Sequence, residues 1–332
     1  MNFFNFYDST SFLDELKHIE EKTHRSFNVI RSLRLLPTKE DTLEAKLGTR
    51  VLPIDDFALT SLEDRAMVTG QALKALSCKQ YARVINTCLR AVGSKEKSTI
   101  VTYDGKILAF LSNDYKILPV DKMFSIADKV ISEKGGAFSV GFADPYKVEA
   151  RYILPESICD SYRDVVPNNY VPTVSIQTSN VGLSGANIFP QLTFRGNQVP
   201  VGAPMCLQHK GVATIEKFEE NIKNIYSLFF KSFKQLSELK KIKIQYPVGT
   251  MISVCKKNHI PKKYVAYAAE YFKDLIDVDD EITAYDVYFA ITEVIFIAET
   301  EGKSNDRLFS LKENVARCLN TNWADFDLPT VI

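Results

Sequence analysis

The stretch Thr99-Ile100-Val101-Thr102-Tyr103-Asp104-Gly105-Lys106-Ile107-Leu108-Ala109-Phe110-Leu111 decides the fold class. Two runs rich in β-branched and apolar residues flank an Asp-Gly pair. A two-residue hairpin turn needs positive φ at both positions, which Asp and Gly tolerate, so a β-hairpin is expected here. Upstream the spacing is helical. Phe12, Leu13, Leu16, Ile19, Val29, Ile30 and Leu33 recur at three-to-four spacing over residues 10–36, and Pro37 ends the stretch. Residues 38–60 are mixed, with Pro53 arguing against a continuous helix. A second helical block is expected from Leu59 to Val92, closed by Gly93.

Downstream, Asp121 can cap a helix over 122–133 whose apolar stripe is Met123, Phe124, Ala127, Val130 and Ile131, stopped by Gly135-Gly136. Strands are expected over 137–142, 147–154, 173–178 and 191–194. Prolines 155, 167, 172, 190, 200 and 204 should keep them short. From Thr214 the helical spacing returns. Ile215, Phe218, Ile222, Ile225, Phe229, Leu236 and Leu239 form a near-heptad seam with one polar member, Ser232, suited to a neighbouring helix or another subunit. Pro261 opens a helix to Phe272, Thr283 with Asp286 forms a capping-box start for a helix to Glu299, and a last helix runs over 304–319. Three regions result: helical 1–97, β-rich 98–205 and helical 206–332. The fold class is α+β, with a helical N-terminal part, central antiparallel β-hairpins around one helix, and a helical C-terminal part.

At 332 residues, 45% hydrophobic and 25% charged, the composition is that of an ordinary globular chain. Six scattered cysteines read as reduced thiols, and neither a secretory leader at 1–8 nor a membrane-length apolar run is present. A cytoplasmic protein with no membrane association is expected.

Motif chemistry is sparse. There is no phosphate loop, dinucleotide fingerprint, nucleophile elbow or His-Glu-x-x-His pair. Asp277-Val278-Asp279-Asp280-Glu281 resembles the start of a calcium loop, but Ile282 and Tyr288 occupy the positions that need Gly and Glu. Cys206 and His209 with Cys255 and His259 have tetrahedral-zinc residue types, yet the interval between the halves holds a long amphipathic helix. Buried thiols and ordinary histidines are the simpler expectation, so no metal or cofactor is assigned. No paired nucleophile and base stands out, and a non-enzymatic role is expected.

Charge layout says more. Lys+Arg and Asp+Glu both total 41, so the formal net charge is zero. Yet residues 206–273 hold 13 lysines, no arginine and five acids, a net of +8, while residues 274–327 hold 13 acids against four cations, a net of −9. The basic part concentrates at Lys240, Lys241, Lys243, Lys256, Lys257, Lys262 and Lys263, interleaved with Tyr246, Tyr264, Tyr267 and Tyr271. Lysines on phosphates and tyrosines under bases are the logic of single-strand binding. The alternative is that the oppositely charged segments pair with each other.

Several segments also resemble a known family. Residues 102–118, Thr178-Ser179-Asn180-Val181-Gly182 followed by Pro190-Gln191-Leu192, Met205-Cys206-Leu207-Gln208-His209-Lys210-Gly211, and Tyr285-Asp286-Val287-Tyr288-Phe289-Ala290-Ile291-Thr292-Glu293 resemble, in this order, blocks of the phage/plasmid-like protein family, domain of unknown function 932. Thr178 and Asn180 stand where that family has Asn and Glu. The resemblance implies a protein of phages, plasmids or related mobile elements in a bacterial cytoplasm, with no catalytic residues to carry over. The hairpin–helix–sheet order followed by a long helix is also similar, at fold level, to single-strand-annealing proteins of phage recombination. The resulting expectation is an oligomeric single-stranded-DNA-binding or annealing accessory factor, contacting DNA through Lys240, Lys241, Lys243, Tyr246, Lys256, Lys257, Lys262, Lys263 and Tyr264. The alternative expectation is a protein-interaction factor, such as an inhibitor of a host defence complex.

Overall fold

A computed structural model describes residues 4–92, 96–194, 197–277, 281–302 and 305–329. The chain opens with β1 (Phe4–Phe6) and α1 (Ser9–Lys22), capped by Asp8, which accepts from the Ser11 N–H at 2.8 Å. Residues 23–36, expected as helix, are not helical. They form β2 (Thr23–Val29), a 3₁₀ turn at Ile30–Ser32 and β3 (Arg34–Pro37). β4 (Leu43–Leu47) and β5 (Arg50–Pro53) pair with β3 as a three-stranded meander. Ile30 and Leu33 have helical spacing because both drop from the 3₁₀ turn into one small core.

The block expected as one helix over 59–92 is two, α2 (Asp56–Arg65) and α3 (Cys78–Ala91). Met67 at φ 55° ends the first, and Ser77 with Gln80 starts the second through a reciprocal capping box. Gly93, the expected stop, lies outside the described residues. The hairpin then forms as read: β6 (Lys97–Tyr103) and β7 (Lys106–Ser112) turn through Asp104 at φ 47° and Gly105 at φ 78°. Its β6 edge pairs with β2 from Thr23↔Tyr103 to Val29↔Lys97. That open edge accounts for the extended conformation of 23–29: a long-range ladder overrides local helical spacing.

α4 (Val120–Glu133) buries its five-residue stripe. Pro119 is its cap, and Asp121 sits in the first turn, where a carboxylate also suits the helix dipole. Then come β8 (Ala137–Ala143), β9 (Val148–Ile153), β10 (Val171–Thr178), β11 (Ala186–Phe194), β12 (Asn197–Pro200) and β13 (Met205–Leu207). The main sheet runs β1-β8-β9-β10-β11-β12, with β13 also on β11, all antiparallel. The prolines do not shorten β11, which is nine residues long. Pro190 falls where β11 changes partner from β13 to β12.

The C-terminal part is helical: α5 (Ile215–Lys223), α6 (Ile225–Leu239), α7 (Pro247–Lys257), α8 (Lys262–Leu275), α9 (Ala284–Thr300) and α10 (Asn305–Cys318). α7 was not foreseen; Gly249 and Thr250 mask its apolar face. Asp286 accepts from the Thr283 N–H at 2.9 Å and its hydroxyl at 2.6 Å, so the α9 start is as read. The α5–α6 seam is broken at Asn224 but buried within the chain against α4, α9 and β11. Ser232 fits that seam because a Cβ on Gly202 would lie 2.4 Å from its Oγ, and its hydroxyl donates to the Leu228 carbonyl at 2.8 Å.

The main sheet has unlike faces. Val148, Ala150, Tyr152, Val174, Ile176, Ile188 and Leu192 point into the large core shared with α1, α4, α5 and α6. Phe12 of α1 packs so close that a Cβ on Gly141 would lie 2.5 Å from its ring. The opposite face carries Glu149, Arg151, Thr173, Ser175, Gln177, Asn187 and Gln191, and the ends of α9 and α10 lie over part of it. Among the described residues no helix is long and apolar enough to cross a membrane.

Candidate nucleic-acid interface and a polar cleft

The basic segment divides into two groups at opposite ends of α9, a helix of 17 residues and so about 25 Å long. At its N-terminal end, the Lys240 ammonium lies 5.1 Å from the Tyr285 ring centroid and donates to the Asp164 carbonyl. Lys241 pairs with Glu238 at 2.8 Å, and Lys243 pairs with Glu281. Tyr246 follows at the start of α7. Its backbone N–H and that of Gln245 donate to the Asp327 carboxylate at 2.7 and 2.8 Å. All three lysines of this group are therefore engaged.

At the other end, the helix–turn–helix of α7 and α8 gathers Lys256, Lys257, His259, Lys262 and Lys263 within eight residues. His259 takes φ 58° in the turn. Lys263 pairs with Glu301, just past α9. Lys256, Lys257 and Lys262 are exposed and form no ion pair among the described residues. Tyr264 is buried in the helical core and offers no ring face to a base. Tyr267 and Tyr271, one turn apart on α8, are 54% and 56% exposed. With Phe296 of α9, 44% exposed, they border a groove that Tyr170 and Phe194 also line. Glu293 also lines that groove, its carboxyl pKa raised by burial.

The four zinc-type residues do not meet. Cys206 and His209 line one cleft, Cys255 is buried in α7 with its thiol pKa pushed up to about 12 by burial, and His259 lines another hollow. Among the described residues no three His, Cys, Asp or Glu side chains cluster as a metal site. Of the calcium-like loop, Val278, Asp279 and Asp280 lie outside the described residues.

Three of the four segments singled out for family resemblance converge around His209. The Lys116 carbonyl can only accept, so Nδ1 carries the proton and donates to it at 2.8 Å. Nε2 then accepts from the Thr178 hydroxyl at 3.2 Å. Tyr115 stacks on the imidazole at 4.8 Å and donates to the Ser179 carbonyl at 2.7 Å. Burial lowers the His209 pKa, which keeps the ring neutral. The pair has the residue types of a hydroxyl nucleophile and its base, but Thr178 is 0% and His209 4% exposed. In this conformation they join segments and do not face a substrate. The fourth segment stands apart on α9, where Tyr285 donates to the Val165 carbonyl at 2.8 Å.

The polar sheet face and α10 enclose a cleft of about 470 Å³. Lys312 is buried there, donating to Gln198 Oε1 at 2.6 Å and pairing with Glu299 at 3.2 Å. Glu149 accepts from the Ser175 hydroxyl at 3.3 Å. Arg151, on the same face of β9 as Glu149, makes no hydrogen bond or ion pair among the described residues, and its Nε is shut from solvent. Burial lowers the pKa of both Arg151 and Lys312. Gln177 Nε2 and Gln191 Oε1 are likewise buried without partners. Sequence reading missed this site because charges alternating with apolar residues along a strand read as a solvent face. The overlooked signal was Gln177, Gln191 and Gln198 falling on three neighbouring strands. Compared with known families, curated proteins and solved structures, the chain matches none.

Proposed function

We propose that this chain is a non-enzymatic nucleic-acid-binding protein of a mobile element, and that it holds single-stranded DNA at the α7–α8 end of the helical part. One observation carries the reading: Lys256, Lys257 and Lys262, exposed and without a carboxylate partner among the described residues, share the α7–α8 helix–turn–helix with Tyr267 and Tyr271, both more than half exposed. The ammonium groups supply sequence-independent attraction to phosphates, and Tyr267 and Tyr271 supply stacking faces that any base can use. Lys240, Lys241 and Lys243 belong to the fold's internal pairing and are left out of the interface. The mobile-element origin rests on the resemblance of the quoted segments. Burial of the α5–α6 seam inside the chain removes the motive for a subunit contact there, so the reading does not require an oligomer.

The test is a titration of labelled oligonucleotide with the full chain across a salt series. Three phosphate contacts give a log–log slope of about −2 for a single strand. A flat salt response, or no binding at low salt, would overturn the proposal. A duplex of the same sequence serves as the second arm, because a helix–turn–helix with a basic turn also suits a duplex groove. Tighter duplex binding would move the reading from single to double strands.

A further inference from the structure

We infer that the polar cleft between the main sheet and α10 is a binding site for a free α-amino acid, held as its zwitterion. This does not depend on the nucleic-acid reading, since none of the α7–α8 residues lines the cleft.

Arg151 gives the first argument. Cations taken out of water are normally paired, because desolvation is offset only by a counter-charge or hydrogen bonds. Its guanidinium makes no hydrogen bond or ion pair among the described residues; Glu149 and Glu299 act on it only through space. A guanidinium presents a planar fork, and the matching ligand group is a planar oxyanion.

The charge balance selects among oxyanions. Arg151 and Lys312 stand against Glu149 and Glu299, so the lining is neutral overall. A phosphate dianion entering it would face two carboxylates. A ligand with one carboxylate and one ammonium meets both signs. Glu149 and Arg151 lie two residues apart on one face of β9, about 7 Å along the strand, which allows one ligand to touch both. Glu149 has only a 3.3 Å bond from Ser175 and keeps acceptor capacity for the ammonium.

The uncharged groups agree. Gln177 Nε2 needs an acceptor and Gln191 Oε1 needs a donor, at 5% and 1% exposure. A carboxylate and an ammonium supply one of each. Phe142, Phe189, Phe309, Val140 and Leu308 also line the cleft, beside Asn5, so the amino acid expected to bind best has an apolar or aromatic side chain.

The experiment is calorimetric titration of the full chain with L-phenylalanine and L-leucine, beside phenethylamine, hydrocinnamic acid and inorganic phosphate. The expected result is binding of an amino acid, with each half-ligand weaker by roughly tenfold or more, the value of one charge-assisted hydrogen bond. Arg151→Gln should weaken binding by about tenfold to a hundredfold at unchanged circular dichroism. Should that variant not fold, Glu149→Gln is expected to cost the ammonium contact by a similar factor. The inference is overturned if no amino acid in a panel of twenty binds, if a half-ligand binds equally well, or if phosphate binds more tightly.

Discussion

The two halves of the basic segment contain the same residue type within a short stretch of chain, and their surroundings separate them. Around Lys240, Lys241 and Lys243, the lysines find a carbonyl, an aromatic ring and two carboxylates. Lys256, Lys257 and Lys262 are exposed and form no ion pair among the described residues. The partners of the first group come from three places, Asp164 before β10, Glu238 in α6 and Glu281 before α9, whereas at the far end of α9 Glu301 pairs with Lys263 alone among the lysines of the second group. A run of lysines is therefore a candidate interface only where the fold leaves it without counter-charges.

The largest effect expected from this comparison is on the free group. Replacing Lys256, Lys257 and Lys262 together by Ala should lower affinity for a single-stranded oligonucleotide by roughly tenfold or more at low salt and flatten the salt slope by about 2 units. Next come the rings. Tyr267→Ala and Tyr271→Ala should each weaken binding by about 1–3 kcal/mol per base stacked, measured by fluorescence anisotropy, whereas Tyr264→Phe should leave it unchanged because that ring is buried. Replacing Lys240, Lys241 and Lys243 by Ala should change affinity by less than about twofold, since paired exposed cations give little to a distant ligand. A larger change would join the two groups into one surface.

The smallest effect separates stability from binding. Burial sets the His209 pKa below its ordinary 6.5, so the unfolded chain takes up the proton more readily than the folded one. Stability should be level above that value and fall as pH drops below it toward the folded-state pKa. Thermal unfolding from pH 8 to 5 checks the sign, and His209→Gln should remove this contribution. Lysine-dependent binding by folded protein should not follow the same curve.

Local signals were legible where chemistry is local. Asp104-Gly105 marks its turn, the α4 stripe marks its buried face, and Thr283 with Asp286 marks the α9 start, because each depends on residues within a few positions. Residues 23–29 were not legible, since their conformation is set by pairing with β6 some seventy residues later. The break at Met67 was hidden because methionine is an unusual choice for positive φ. The same limit applied to the interface. Sequence showed the lysines and tyrosines, but only the packing of α7, α8 and α9 shows that Tyr264 is inside and which ammonium groups have partners. The cleft was hidden further still, because its residues come from six strands and two helices.

The most direct measurement is a side-by-side titration of three full-length proteins with one single-stranded oligonucleotide at low salt: the unaltered chain, the variant lacking Lys256, Lys257 and Lys262, and the variant lacking Lys240, Lys241 and Lys243. The first and third are expected to bind alike, and the second at least about tenfold more weakly. Equal losses in both variants, or no loss in the second protein, would rule out the α7–α8 lysines as the DNA-binding group.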